Sequence, residues 1–221
     1  MSVFRTAGLV AAAAVLSGCI NIIEARTDGS SDYVYDGDIV DTVFDVGPFD
    51  GIRAGSGLDV VFEQSDDFVV VAEGGPRQLE NVDAYVEDGV LRLSQDNRVG
   101  ADFYVSAPVL TSIDVSGGAD FIAEDLELDE IYLEASGGAD LEVSGVCAVV
   151  TARASSGADI EAGDLKCARA DVKASSGGDV EVYASRSAEA EASTGGDVDV
   201  RGAPDDVEST ESFGGDVTIE G

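Results

Sequence analysis

The chain has 221 residues, with 12 Lys and Arg against 45 Asp and Glu, a formal charge of −33, and no histidine. That balance excludes nucleic acid as a partner, and the missing imidazole excludes Ser-His-Asp triads, imidazole general bases and His-ligated zinc. Low aromatic content would suit a disordered chain, but 44% hydrophobic residues in regular alternation supply a core.

Residues 1–18 read as a lipoprotein signal peptide, with one cation at Arg5, an apolar core over residues 7–16 and then small residues. Leu16-Ser17-Gly18-Cys19 resembles a bacterial lipobox, which implies cleavage before Cys19 and acylation of its thiol and new amino terminus. An uncleaved anchor continuing through Ile20-Asn21-Ile22-Ile23, or a plain secretory signal, are the competing readings. The apolar run falls short of the ~20 residues that a spanning helix needs. Several acyl chains would hold the mature protein on a membrane far more firmly than one. By the sorting rule that the lipobox implies, Ile20 rather than Asp after the cysteine predicts an outer-membrane lipoprotein, facing either periplasm or surface. Residues 19–38 are then the acylated cysteine and a polar, aperiodic tether. Loss of the signal removes one cation, Arg5, so the net charge goes from −33 to −34.

Residues 39–221 form the predicted domain. Strand-like runs fall at 39–46, 58–63, 68–73, 82–87, 90–94 and 102–106. A turn at Asp88-Gly89 predicts a hairpin, and "GPRQLENV" predicts one helical turn. This irregular half is expected to be β structure continuous with the C-terminal half, covering one open end.

From residue 112 to 221 the chain repeats Ser-x-Gly-x-Asp: Ser116-Gly118-Asp120, Ser136-Gly138-Asp140, Ser155-Gly157-Asp159, Ser175-Gly177-Asp179, Ser193-Gly195-Asp197 and Ser212-Gly214-Asp216. Successive aspartates recur about every 19 residues, a period in the range of solenoid repeats. An earlier variant, Gly55-Ser56-Gly57-Leu58-Asp59, lies about three periods before Asp120, which predicts worn repeats filling further coils between them. Apolar residues alternate on both sides of each corner, as in Ile131, Leu133, Ala135 and then Leu141, Val143. Period-two alternation around a glycine corner gives two short strands per unit, each with one buried face. Units this small bury that face only by stacking. The expected fold is all-β: a parallel β-solenoid (β-helix), right-handed because parallel crossovers nearly always are.

"FDVGPFDGIRAGSGLDVVFEQ", "VEDGVLRLSQ" and "ADFYVSAPVLTSIDVSGGAD" together with the SxGxD repeats resemble the auto-transporter adhesin head GIN domain family of exported bacterial proteins, over about residues 43–221. The resemblance implies a β-solenoid of unassigned biochemical function, often on lipoproteins.

The corner is not a phosphate loop, because strands rather than a helix follow it and no Lys is near. Glycine at the third position permits a backbone that side chains resist, with Ser hydroxyls and Asp carboxylates expected to bond the turn amides. Stacking places Asp120, Asp140, Asp159, Asp179, Asp197 and Asp216 in one column and Glu142, Glu161, Glu181 and Asp199 in a second on the same outward face. Like charges about 5 Å apart repel by roughly 0.8 kcal/mol in water and about 3 at an effective dielectric of 20. No cofactor is required, but oxygen ligands suit Ca²⁺, so these ten carboxylates are candidates for weak, multiple Ca²⁺ binding; the alternative is a solvated face whose aspartates cap turns. On the preceding strand Glu134, Arg153, Lys173 and Glu191 mix signs and are expected to pair across coils.

Cys147 and Cys167 each precede a repeat aspartate by 12 residues, so they share a position on adjacent coils and are predicted to form a disulfide. Solenoids of this kind also host polysaccharide lyases and hydrolases, but Tyr132, Tyr183, Phe121 and Phe213 are scattered and no acid pair stands out. No catalytic residue is assigned. The sequence points to a non-enzymatic envelope protein that presents an acidic β face to a protein or glycan partner, or to a structural envelope component.

Overall fold

The computed structural model describes residues 39–95 and 100–220. The expected signal peptide, lipidated Cys19 and tether lie outside the described residues. The strands are β1 (Val40–Val43), β2 (Gly51–Gly55), β3 (Asp59–Gln64), β4 (Val69–Gly74), β5 (Val82–Glu87), β6 (Val90–Gln95), β7 (Asp102–Ala107), β8 (Ser112–Ser116), β9 (Asp120–Glu127) and β10 (Glu130–Ser136), followed by β11 (Asp140–Ser155), β12 (Asp159–Ser175), β13 (Asp179–Ser193), β14 (Asp197–Arg201), β15 (Asp206–Ser212) and β16 (Asp216–Ile219). One turn of helix, α1 (Pro76–Leu79), separates β4 from β5. Among the described residues no helix is long and apolar enough to cross a membrane.

From β8 onward the expected solenoid is present. Every strand pairs in parallel with its counterpart one repeat away, and equivalent residues face one another: Asp140 opposite Asp159, Asp159 opposite Asp179, Ser155 opposite Ser175. Strands β11, β12 and β13 each run unbroken from one corner to the next. Irregularities in pairing at Ser144 and between Ala162 and Lys166 mark the second, less regular bend of the coil.

At each SxGxD corner two consecutive residues are left-handed, as at Ser176 (φ 56°) and Gly177 (φ 74°), the pattern of a type I′ turn. Glycine takes the second place without cost, whereas Ser56, Ser156, Ser176, Thr194 and Phe213 hold the first with a side chain. Backbone carbonyls, rather than the expected serine hydroxyls, satisfy the turn amides. The Ser193 carbonyl accepts from Gly196 N–H at 3.1 Å within its own turn and from Ser176 N–H at 3.3 Å in the previous coil. Neighbouring corners are thereby bonded to one another.

The core is a set of inward columns. Phe103, Val60, Phe121, Leu141, Ile160, Val180 and Val198 follow one another beneath the post-corner strands, all buried. Beneath the corners the column shrinks from Leu58 through Ala119, Ala139 and Ala158 to Gly178 and Gly196. A methyl group at Gly196 would sit 2.6 Å from the Ser175 nitrogen, so backbone approaches too closely there for any side chain. In the last described coil, Val207, Ser209 and Glu211 continue the columns of Ala188, Ala190 and Ala192, and the inward face turns polar. Polar terminal units of this kind end an apolar stack.

The N-terminal half corrects one expectation. The stretch between Asp59 and Asp120 does not hold three intervening coils: β2 lies directly against β8, and β3 against β9, with Asp59 facing Asp120. On their other side β2 and β3 pair in parallel with β6 and β7, so the later segment forms the outer coil and the earlier one is inserted beneath it. The chain gets there through β4, α1 and β5, which run back antiparallel along β7 and β6; the hairpin at Asp88-Gly89 and the helical turn are as predicted. Strand β1 adds antiparallel to β4. Two buried amides fasten this end: Gln78 donates to the Gly100 carbonyl, and Gln95 to the Ser56 carbonyl at 2.7 Å.

Cys147 and Cys167 face each other across β11 and β12 and form the predicted disulfide, with Cα atoms 4.5 Å apart. Closing a loop of this length stabilises a fold by about 3 kcal/mol through the unfolded chain. Replacing both cysteines by Ser is therefore expected to lower the guanidinium midpoint of the domain without changing its circular dichroism spectrum; an unchanged midpoint would show that the bond contributes nothing.

Candidate functional site: a carboxylate column along one sheet face

The type I′ corner turns each following aspartate outward, and the in-register ladder repeats that direction in every coil. Asp120, Asp140, Asp159, Asp179, Asp197 and Asp216 therefore stand in one column, as expected. The column is longer than the repeats indicate. Asp59 and Asp102 extend it through parallel pairing, and Glu73 and Asp41 through antiparallel pairing. It runs unbroken as Asp41, Glu73, Asp102, Asp59, Asp120, Asp140, Asp159, Asp179, Asp197 and Asp216, ten carboxylates on ten adjacent strands. At ~4.8 Å per strand that is about 43 Å of one-sign edge.

Asp102 had no SxGxD corner to mark it. Gly100-Ala101-Asp102-Phe103 nonetheless repeats Gly118-Ala119-Asp120-Phe121 residue for residue, a signal that would have found it. Glu73 and Asp41 carry no comparable signal, because antiparallel strands bring residues together in reverse order.

Burial, and after it mutual repulsion, hold several members of the column above the ordinary carboxylate value. Burial first, then the facing Asp102, hold Asp59 above the ordinary carboxylate value. Burial and Glu73 raise Asp102, while the hydrogen bond it shares with Asp59 lowers it. Both members of the pair are held above the ordinary carboxylate value, burial being the larger cause for each. Asp120 is raised by burial and by Asp59 and Asp140 on either side, and Asp159 by burial and then Asp179 and Asp140. Some relief comes from the backbone: the Asp197 N–H donates to Asp179 Oδ1 at 3.2 Å.

Two residues further along each strand lies the second column. Glu142, Glu161, Glu181 and Asp199 stand in register, as expected. Burial raises Glu181 against the opposing pull of Arg201, to which it is ion-paired. On the strands before Glu142 this column is not acidic: it reads Val43, Val71, Tyr104, Val61 and Ile122. Among the described residues, no group of three or more acidic side chains or cysteines is arranged to hold a metal ion. The carboxylates are evenly stepped rather than convergent.

The face before the corner behaves differently. Lys173 pairs with Glu191 at 3.0 Å, and Arg53 with Asp114. Arg153 lies 5.6 Å over the Tyr132 ring, whose hydroxyl donates to Glu134 Oε2 at 2.9 Å. Of the expected pairs on this face Lys173 and Glu191 form one, whereas Arg153 rests on the Tyr132 ring; among the described residues no such cation is paired to the aspartate column after the corner.

Solved bacterial structures share this architecture. An adhesin-named protein ("putative adhesin") of Bacteroides fragilis superposes with a TM-score of 0.64 at 20% identity, covering 83% of this chain and 96% of that one. A "putative adhesin" of Parabacteroides distasonis gives 0.55 at 18% identity over 84% and 98%. A "putative lipid binding protein" of the same organism gives 0.52 at 16% over 84% and 97%. At these identities the likeness concerns the fold. No curated protein matches the chain in sequence. The sequence profile of "Putative auto-transporter adhesin, head GIN domain" matches residues 48–204, which includes the inserted coil, its outer neighbour and the corners through Asp197. The chain belongs to that family.

Proposed function

We propose that this chain is a non-enzymatic lipoprotein of the cell envelope, anchored through acylated Cys19 after loss of residues 1–18, that presents its carboxylate face to a protein or glycan partner. The ten-carboxylate column carries the reading. A fold that stacks like charges on ten successive strands bears a repulsive cost, which a cationic partner or bound cations would offset. The adhesin names in the family and among the structural neighbours support an exported interaction protein. Residues 19–38 serve as the tether, and the outer membrane is the proposed location.

Ca²⁺ enters this reading as a weak, multiple counterion along Asp120 to Asp216 and Glu142 to Asp199. Evenly stepped carboxylates offer each ion two or three oxygens and leave the rest of its shell to water. Such binding would neutralise the column or bridge it to an anionic glycan. Millimolar CaCl₂ is expected to raise the melting temperature more than NaCl of equal ionic strength, and poly-lysine to bind at low salt with an affinity that falls steeply as salt rises. No heat with Ca²⁺ in calorimetry would remove the cation from the account. No binding of poly-lysine, or of any envelope glycan with or without Ca²⁺, would favour a purely structural envelope component.

The titration gives a separate check. Carboxyls held above their unfolded value bind protons more readily in the folded chain, so their contribution favours folding at low pH and is lost as pH rises through the raised values. In low salt the melting temperature is expected to climb as pH falls from neutral toward the ordinary carboxylate range. Asp59→Asn should raise it at pH 8 and flatten the climb. A melting temperature that falls steadily over that interval would contradict the repulsive column.

A further inference from the structure

The post-corner sheet face changes character along its length. From β11 to β14 the second outward column is acidic, but on β1, β4, β7, β3 and β9 it is Val43, Val71, Tyr104, Val61 and Ile122, each opposite the next. Four of these side chains are exposed where a solvated face would be polar, 69% for Val43, 42% for Tyr104, 45% for Val61 and 37% for Ile122, while Val71 is half-buried. A contiguous apolar stripe on a water-soluble domain marks a contact surface. Immediately beside it, two residues or about 6.6 Å away, run Asp41, Glu73, Asp102, Asp59 and Asp120.

We propose that this stripe is the docking site for a cationic amphipathic polypeptide segment, which lays apolar side chains on Val71, Tyr104, Val61 and Ile122 and reaches the adjoining carboxylates with Lys or Arg from one flank. The inference rests on the partner-binding reading above and assigns it a place and a partner chemistry. Charge complementarity selects the occupant. A second copy would set acids against acids, and an anionic lipid surface would meet the same repulsion. The dimensions fit a short helix: five strands span about 19 Å, the length of roughly 13 helical residues. Lysine stems cover the offset between stripe and column while their ammonium groups sit over the carboxylates. Burial together with Glu73, Asp102 and Asp41 raises the Tyr104 phenol, which stays a neutral hydrogen-bond donor at the centre of the stripe.

The test uses the unacylated chain and a fluorescent 14-residue Leu/Lys peptide with one apolar face, measured by anisotropy at low salt, with poly-lysine as the charge-only probe. Tyr104→Thr, Val61→Thr and Ile122→Thr keep strand propensity and net charge. Together they should weaken the Leu/Lys peptide at least tenfold and poly-lysine less than threefold. Val61→Thr alone, the milder variant, should shift the peptide affinity in the same direction. Asp59→Asn with Asp102→Asn should weaken the peptide and reduce its salt dependence. Equal loss or no loss for both probes would overturn the stripe while leaving the acidic face intact as an interaction surface. Failure of both probes on the unaltered chain would remove the partner-binding reading as well. Capture by phosphatidylcholine/phosphatidylglycerol vesicles, abolished by the triple variant and without peptide binding, would replace the polypeptide with a lipid surface.

Discussion

Strict in-register parallel pairing is the constraint from which the rest of this molecule follows. When one coil bonds to the next with no offset, each residue type is copied into a column, whatever the electrostatic consequence. For the inward positions the consequence is favourable, since Leu141, Ile160 and Val180 bury one another and exclude water. For the outward aspartates it is unfavourable, since Asp140, Asp159 and Asp179 face their own kind. The type I′ corners hold this register in place: their amides bond to carbonyls of the adjacent corner, so a one-residue slip would break every turn at once.

The two outward faces show that the acidic column is not a passive result of an acidic composition. Before the corner, Arg53 meets Asp114 and Lys173 meets Glu191, so opposite charges have been distributed along the stack. After the corner, Arg201 beside Glu181 is the pairing that relieves the face, and the aspartates themselves are left facing one another. A fold that pairs charges on one face but leaves the aspartate column of the other facing its own kind presents a field that reaches outward. At the N-terminal end that field borders apolar side chains, and the combination is more selective than charge alone.

Much of this was legible in the sequence because the repeats report both register and direction. Six corners at near-constant spacing fix the coil, and the shared offset of Cys147 and Cys167 from their aspartates places them opposite each other. The N-terminal half was less legible for a topological reason. Spacing counts coils only when chain order equals stacking order, and here the coil of β2 and β3 is inserted beneath the later coil of β6 and β7. Asp59 therefore neighbours Asp120 despite the long stretch of chain between them. Glu73 and Asp41, with Val71 and Val43 beside them, were hidden by the same turn-back, since antiparallel strands contribute to a column without contributing to a period.

That inserted order makes both the unbroken column and the apolar stripe continuous, and paired cysteines test it directly. Val61→Cys with Ile122→Cys places two thiols on facing residues of adjacent strands, whereas Tyr104→Cys with Ile122→Cys places them two strands, about 9.6 Å, apart. Under mild oxidation the first pair should cross-link in the folded chain and the second should not, read by mass spectrometry of the digested protein. Ready cross-linking of Tyr104→Cys with Ile122→Cys, and none between positions 61 and 122, would mean that the coils stack in chain order, and the continuous face would have to be abandoned.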